Sequence, residues 1–212
     1  MADGSKLLGW KMGGTATNDP EQFDPIFGYV LDRNMIQQET VIGGFPDGDA
    51  FLEAEIGFAL KTNLPNGVAT IDELKESIDY VVGAVEFAKS VALPPNDGSL
   101  EINHVLATGT GQEGTIIGDV KLSFDALDLT KESARCFLVG EEVAMGIGSN
   151  IFGGPLNALF KLANLLPKQG RQLRRGQFVI TGSLYTNPVL DSTANVQVVF
   201  DNLGEISFES QK

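Results

Sequence analysis

The sequence predicts a mixed α/β fold in which β structure dominates: a twisted β-roll or barrel flanked by a few helices. Strand-like apolar runs are too numerous for a helical bundle, and they lack the regular strand-helix alternation of a doubly wound sheet. The 25 glycines fall in pairs and turns, among them Gly13-Gly14, Gly43-Gly44 and Gly153-Gly154, as a loop-rich β protein requires. With 212 residues, 42% of them hydrophobic, the chain can bury one sizeable core. No internal repeat divides it, so residues 1–212 read as a single domain.

Residues 51–60, FLEAEIGFAL, alternate as a strand and project Glu53 and Glu55 from one face, because side chains two apart share a side. Thr70 caps a helix with Glu73 completing a capping box. Ile71, Leu74, Ile78 and Val81 or Val82 continue at helical spacing, which carries the helix into residues 80–82 before Gly83 breaks it. VEFA at 85–88 then reads as a separate strand bearing Glu86. Pro155 opens a second helix whose apolar face is Leu156, Leu159, Phe160, Leu162, Ala163 and Leu166, ended by Pro167 and Gly170. QFVITGSL at 177–184, VQVVF at 196–200 and EISFE at 205–209 read as strands, the last two joined as a hairpin through residues 201–204.

Composition narrows the function. Fifteen basic against 28 acidic residues give a formal charge of −13, which repels nucleic acid and anionic membranes. Lys168, Arg171, Arg174 and Arg175 form the one basic cluster, without interleaved aromatics, and read as a solvated turn. No stretch approaches the roughly 18 uninterrupted apolar residues of a membrane span, and the start has no apolar signal core, so a soluble, cytoplasmic protein is expected. Cys136 is the sole cysteine and is expected to be a buried, inert thiol. His104 is the sole histidine, which leaves little material for a histidine zinc site or a Ser-His-Asp triad.

What remains for chemistry is acidic. Glu53 and Glu55 are surrounded in sequence by Phe51, Leu52, Ile56, Phe58 and Leu60, and burying unpaired carboxylates is costly. With a third acid, such a pair can hold a hard divalent cation that keeps positions for water and substrate. Lys11, in LLGWKMGG, either snorkels to the surface, the better reading of that stretch alone, or faces an anion. The GxGxxG at 109–114 is followed by a strand-like TIIGDVKLSF where a dinucleotide loop needs a helix, so it is rejected as a cofactor loop. Residues 146–150, GIGSN, default to a structural turn.

Read in order, GWKMG at 9–13, DPIFGYVLDRNM at 24–35, EAEIGFAL at 53–60, IDYVVGAVEF at 78–87, GIGSNIFGGPLNAL at 146–159, LANLL at 162–166, RRGQFVITGSL at 174–184 and LGEISFE at 203–209 resemble one family. It is the fumarylacetoacetate hydrolase superfamily, in its 2-hydroxypentadienoate (2-keto-4-pentenoate) hydratase and 4-oxalocrotonate decarboxylase branch. The resemblance implies a fumarylacetoacetase-type β fold and a lyase of aromatic catabolism acting on a small 2-oxo or 2-enol acid through a metal-stabilised enolate. It implies Mg²⁺ or Mn²⁺ on Glu53, Glu55 and Glu86, and Lys11 as the catalytic lysine. Thr181 and Ser149 become candidate substrate contacts, and an oligomer of at least two copies is expected, to which the apolar 153–166 segment could contribute if it is not simply core.

The chain departs from the family pattern at Gly14-Thr15-Ala16, at Lys89-Ser90-Val91 and at Gly154, which removes a hydroxyl, an acid, an arginine and a histidine. These changes suit a different or bulkier substrate, so an isomerase, cyclase or hydrolase of the same superfamily is the alternative. Eight residues precede Gly9 where the family carries a longer helical segment. That shortness motivates a further alternative, a non-catalytic metal-binding subunit of a hetero-oligomer.

Overall fold

In a computed structural model, residues 4–16, 25–43, 50–89, 112–190 and 193–211 are described. His104, Ser90-Val91 and the first three residues of the GxGxxG lie outside them. Twelve strands are found among the described residues: β1 (Leu7–Gly13), β2 (Ile26–Leu31), β3 (Val41–Gly43), β4 (Ala50–Leu60), β5 (Ile78–Lys89), β6 (Gln112–Leu122), β7 (Ser133–Leu138), β8 (Glu141–Ile147), β9 (Phe178–Ser183), β10 (Val189–Leu190), β11 (Ala194–Phe200) and β12 (Glu205–Gln211). Two α-helices accompany them, α1 (Ile71–Ser77) and α2 (Pro155–Leu165).

The strands form two mixed sheets. One runs β2-β1-β9-β4-β5-β6, with β10 also paired to β4, and the other runs β3-β12-β11-β7-β8. The β-dominant fold with few helices is the one predicted, although both sheets stay open and do not close into a barrel. They share one apolar core, in which the rings of Phe87 on β5 and Phe208 on β12 meet edge-on at 4.9 Å. No helix among the described residues is long and apolar enough to cross a membrane.

Local signals account for most boundaries. Thr70 accepts the Glu73 backbone N–H at 3.2 Å while the Glu73 carboxylate takes the Thr70 N–H, the capping box expected. Helix α2 starts at Pro155 and buries Ala158, Leu159, Leu162 and Ala163, so its apolar stripe is core. Pro167 lies in a 3₁₀ turn and Gly170 ends it with φ 69°. The 201–204 hairpin closes through Phe200 N–H to the Gly204 carbonyl at 2.8 Å. The basic cluster Lys168, Arg171, Arg174 and Arg175 is exposed, as a solvated turn should be.

One element differs from expectation. The helix at Thr70 stops at Ser77, and residues 78–89 are a single uninterrupted strand. Ile78, Val81, Val82 and Val85 suit a helical spacing and a strand equally over so short a run. Their β-branched side chains and the ladders offered by β4 and β6 decide for the strand. Gly83 therefore breaks nothing. It lies inside β5, and a Cβ there would stand 2.7 Å from the Phe200 ring, so the residue is the close-approach point between the two sheets.

Gly83→Ala should destabilise the protein by about 1–3 kcal/mol, because the Phe200 ring has to move away from the strand. Thermal denaturation checks this, and an unchanged midpoint would show that the ring packs elsewhere.

Candidate metal centre

The β4–β5 ladder sets the site. Glu53 stands directly opposite Glu86 across the antiparallel pair, and Glu55 lies two residues further along the same face. One carboxylate oxygen from each of the three lies within 4.8 Å of the others. Glu55 and Glu86 are fully buried and Glu53 is half-buried.

Neighbouring strands hold these acids. Lys11 stands on β1, separated from β5 by β9 and β4, and its ammonium reaches over them to pair with Glu86. It is 3% exposed, so it turns inward and does not snorkel, correcting the reading of its stretch taken alone. The Glu55 carboxylate accepts the backbone N–H of Gly182 on β9. Gly182 has φ 106°, and a Cβ on it would run into the Thr15 hydroxyl, so only glycine serves here. Thr15 is thereby packed against the strand end that carries the amide.

Asn187 is a site residue that the sequence reading missed. Its side-chain amide donates to Glu53 at 2.7 Å. The loop carrying it is pinned to the edge of β4 by Leu184 N–H to the Ala54 carbonyl at 2.8 Å and by Leu52 N–H to the Pro188 carbonyl at 3.0 Å. No spacing rule could have paired residues 134 apart in sequence.

The electrostatics of the trio are unfavourable as they stand. Burial, then the Glu86 charge, pushes Glu53 from its ordinary 4.5 up to about 7. Burial followed by the charges of Glu86 and Glu53 drives Glu55 well up, and burial raises Glu86 against the opposing pull of Lys11. One oxygen of Glu55 and one of Glu86 are buried without a hydrogen-bond partner. Hard oxygen donors, convergent and unsatisfied, fit a divalent cation.

A cavity of about 750 Å³ opens beside the trio. Its lining includes Lys11, Glu53, residues 13–16, Ser149, Asn150 and residues 182–187. Ser149 is thus placed in the wall. Thr181 is fully buried and its hydroxyl donates to the Ile56 carbonyl at 2.9 Å, which ties β9 to β4 behind the wall. Cys136 is fully buried and burial pushes its thiol up to about 11, the inert thiol expected.

No family model matches the chain. Among known proteins it is 27% identical over 207 residues to a 4-oxalocrotonate decarboxylase of Pseudomonas putida, spanning 96% of this chain and 77% of that protein. It is 29% identical over 184 residues to a 2-keto-4-pentenoate hydratase of Paraburkholderia xenovorans, spanning 85% and 67%. Among solved structures, 4-oxalocrotonate decarboxylase from Pseudomonas putida G7, complexed with magnesium and adipate, superposes with a TM-score of 0.88 at 27% identity, covering 99% of this chain and 80% of that one. Fumarylpyruvate hydrolase from Pseudomonas aeruginosa, in complex with Mn²⁺ and pyruvate, shares the fold with a TM-score of 0.71 at 13% identity, covering 95% and 88%.

Two outcomes test the geometry. Between about pH 4.5 and pH 7 the folded, metal-free protein holds protons on Glu53 that the unfolded chain releases, so its stability falls as pH rises through that window. Added Mg²⁺ should therefore raise the melting temperature more at pH 8 than at pH 5. A shift equal at both would argue against the carboxylate site. Asn187→Ala should weaken metal affinity about tenfold by freeing Glu53, measured by titration calorimetry.

Proposed function

We propose that the chain is a member of the fumarylacetoacetate hydrolase superfamily and a divalent-metal-dependent lyase of small 2-oxo or 2-enol acids, of the hydratase or decarboxylase type. The observation that carries the reading is the trio of Glu53, Glu55 and Glu86, two of them fully buried with an unpartnered oxygen each, beside Lys11 and a cavity of ligand size. The same two relatives, one named a decarboxylase and the other a hydratase, support it.

Glu53, Glu55 and Glu86 would hold Mg²⁺ or Mn²⁺, both of which take oxygen ligands. When bound, the ion supplies Lewis-acid polarisation of the substrate's 2-oxo group. The chain's own residues do the rest. Gly182 N–H and the Asn187 amide fix the orientation of Glu55 and Glu53, so the ligands are arranged before substrate arrives. Lys11 places an ammonium at the junction of the carboxylates and the cavity, where it can orient the substrate carboxylate or pass a proton to the reacting carbon. Ser149 offers a hydroxyl from the wall.

The reacting head of the substrate would lie beside the trio and Lys11, so the rest of the wall decides which acid enters. A small-molecule substrate fits a cavity of this size, open to solvent on one side.

Titration of Mg²⁺ and Mn²⁺ into the wild type and Glu53→Gln, each repeated with oxalate as a mimic of the 2-oxo acid head, tests the assignment. Wild type should bind metal and oxalate should tighten it, while the variant, which loses one ligand charge and little volume, should do neither. Metal binding that survives intact in Glu53→Gln would sink the site. Lys11→Met should leave metal binding in place and lower turnover about 100-fold or more, as loss of a proton-transfer group does. Turnover unaffected by that change would remove Lys11 from the chemistry.

A further inference from the structure

Which 2-oxo acid the cavity accepts depends on where the chain puts its positive charge. All the lysines and arginines except Lys212 lie among the described residues, and of these Lys11 is the one that lines the cavity. Its ammonium is already paired with Glu86. With a divalent ion in place, three carboxylates, one ammonium and the ion cancel, so the head carboxylate of a substrate brings the site to a single negative charge.

Among the described residues the remaining wall is neutral; His104 lies outside them. Gly14, Ala16 and Ile26 give it small and apolar surface, and Ser149, Thr186 and Asn187 give it hydroxyl and amide groups. A second carboxylate on the far end of a substrate would enter a cavity already negative, inside a protein of formal charge −13, and would find hydroxyls and amides in place of a cation. A carboxylate brought close to like charge without a cationic partner is disfavoured. A neutral tail, apolar or bearing a hydroxyl or carbonyl, meets a matching surface.

We infer that the cavity selects 2-oxo monocarboxylates with an uncharged tail and discriminates against 2-oxo dicarboxylates. The inference rests on the metal-dependent reading above and narrows it to one substrate class. Lys89 is turned to Glu113 at 3.3 Å and is not among the residues of the wall.

The test compares two acids of equal chain length, 2-oxopentanoate and 2-oxoglutarate, binding to the Mg²⁺-loaded protein at matched ionic strength, with oxalate as the head-only reference. Oxalate and 2-oxopentanoate should bind, and 2-oxoglutarate should bind at least about tenfold more weakly. Ala16→Arg, which adds a guanidinium to an exposed part of the wall, should close that gap. If oxalate fails to bind, the metal-dependent reading itself is lost. If oxalate binds and 2-oxoglutarate matches or exceeds 2-oxopentanoate, the site stands and the neutral-tail inference is overturned. A gap that Ala16→Arg leaves unchanged assigns the discrimination to shape and overturns the charge argument.

Discussion

Three carboxylates at the centre of a β-sheet repel one another and have lost most of their water. Burial is the largest cause of the upward shift in all three, and Glu86 adds to it at Glu53 and Glu55. Lys11 offsets one charge, and the Gly182 N–H and Asn187 amide offset it further with dipoles. That leaves a deficit of the size a divalent cation fills, and the surrounding structure is organised by that need. The β4–β5 register is its first requirement, because a slip of one residue would send Glu53 and Glu86 to opposite faces.

The second requirement is close approach. Gly83 lets the Phe200 ring of the other sheet lie against β5, and Gly182 lets Thr15 lie against the end of β9. One glycine brings the two sheets together behind the acids. The other sets a backbone N–H against Glu55, where a side chain would clash. Neither is a turn glycine, although turns are the usual first reading of the residue.

What the sequence made legible follows from the range of each signal. The Glu53/Glu55 pair, the Thr70 capping box, the Pro155 helix and the 201–204 hairpin depend on residues a few positions apart, and each is found as expected. The third acid of the candidate site, Glu86, came from family resemblance, since a partner across an antiparallel ladder leaves no local trace. The 78–82 segment was misread because its apolar spacing suits helix and strand alike, and only the neighbouring ladders settle it. Asn187 and the inward turn of Lys11 stayed hidden for the same reason. Both are set by contacts between residues far apart in the chain.

This difference in range also separates the two halves of the site. The three acids and Lys11 stand on β4, β5 and β1, whose ladders fix them, so the head of a substrate entering there would be met by groups held by the sheet itself. Much of the remaining wall is drawn from the segments 14–16, 149–150 and 184–187, which follow or connect the strands. Such segments can change residue by residue without disturbing a ladder. The departures at Gly14, Ala16 and Lys89 fall at strand ends or just beyond them, and the three acids stay in place. On the proposed reading, chemistry and specificity are therefore carried by different parts of the chain. A sequence can keep the first in plain view while its second half is decided by side chains that no periodicity marks.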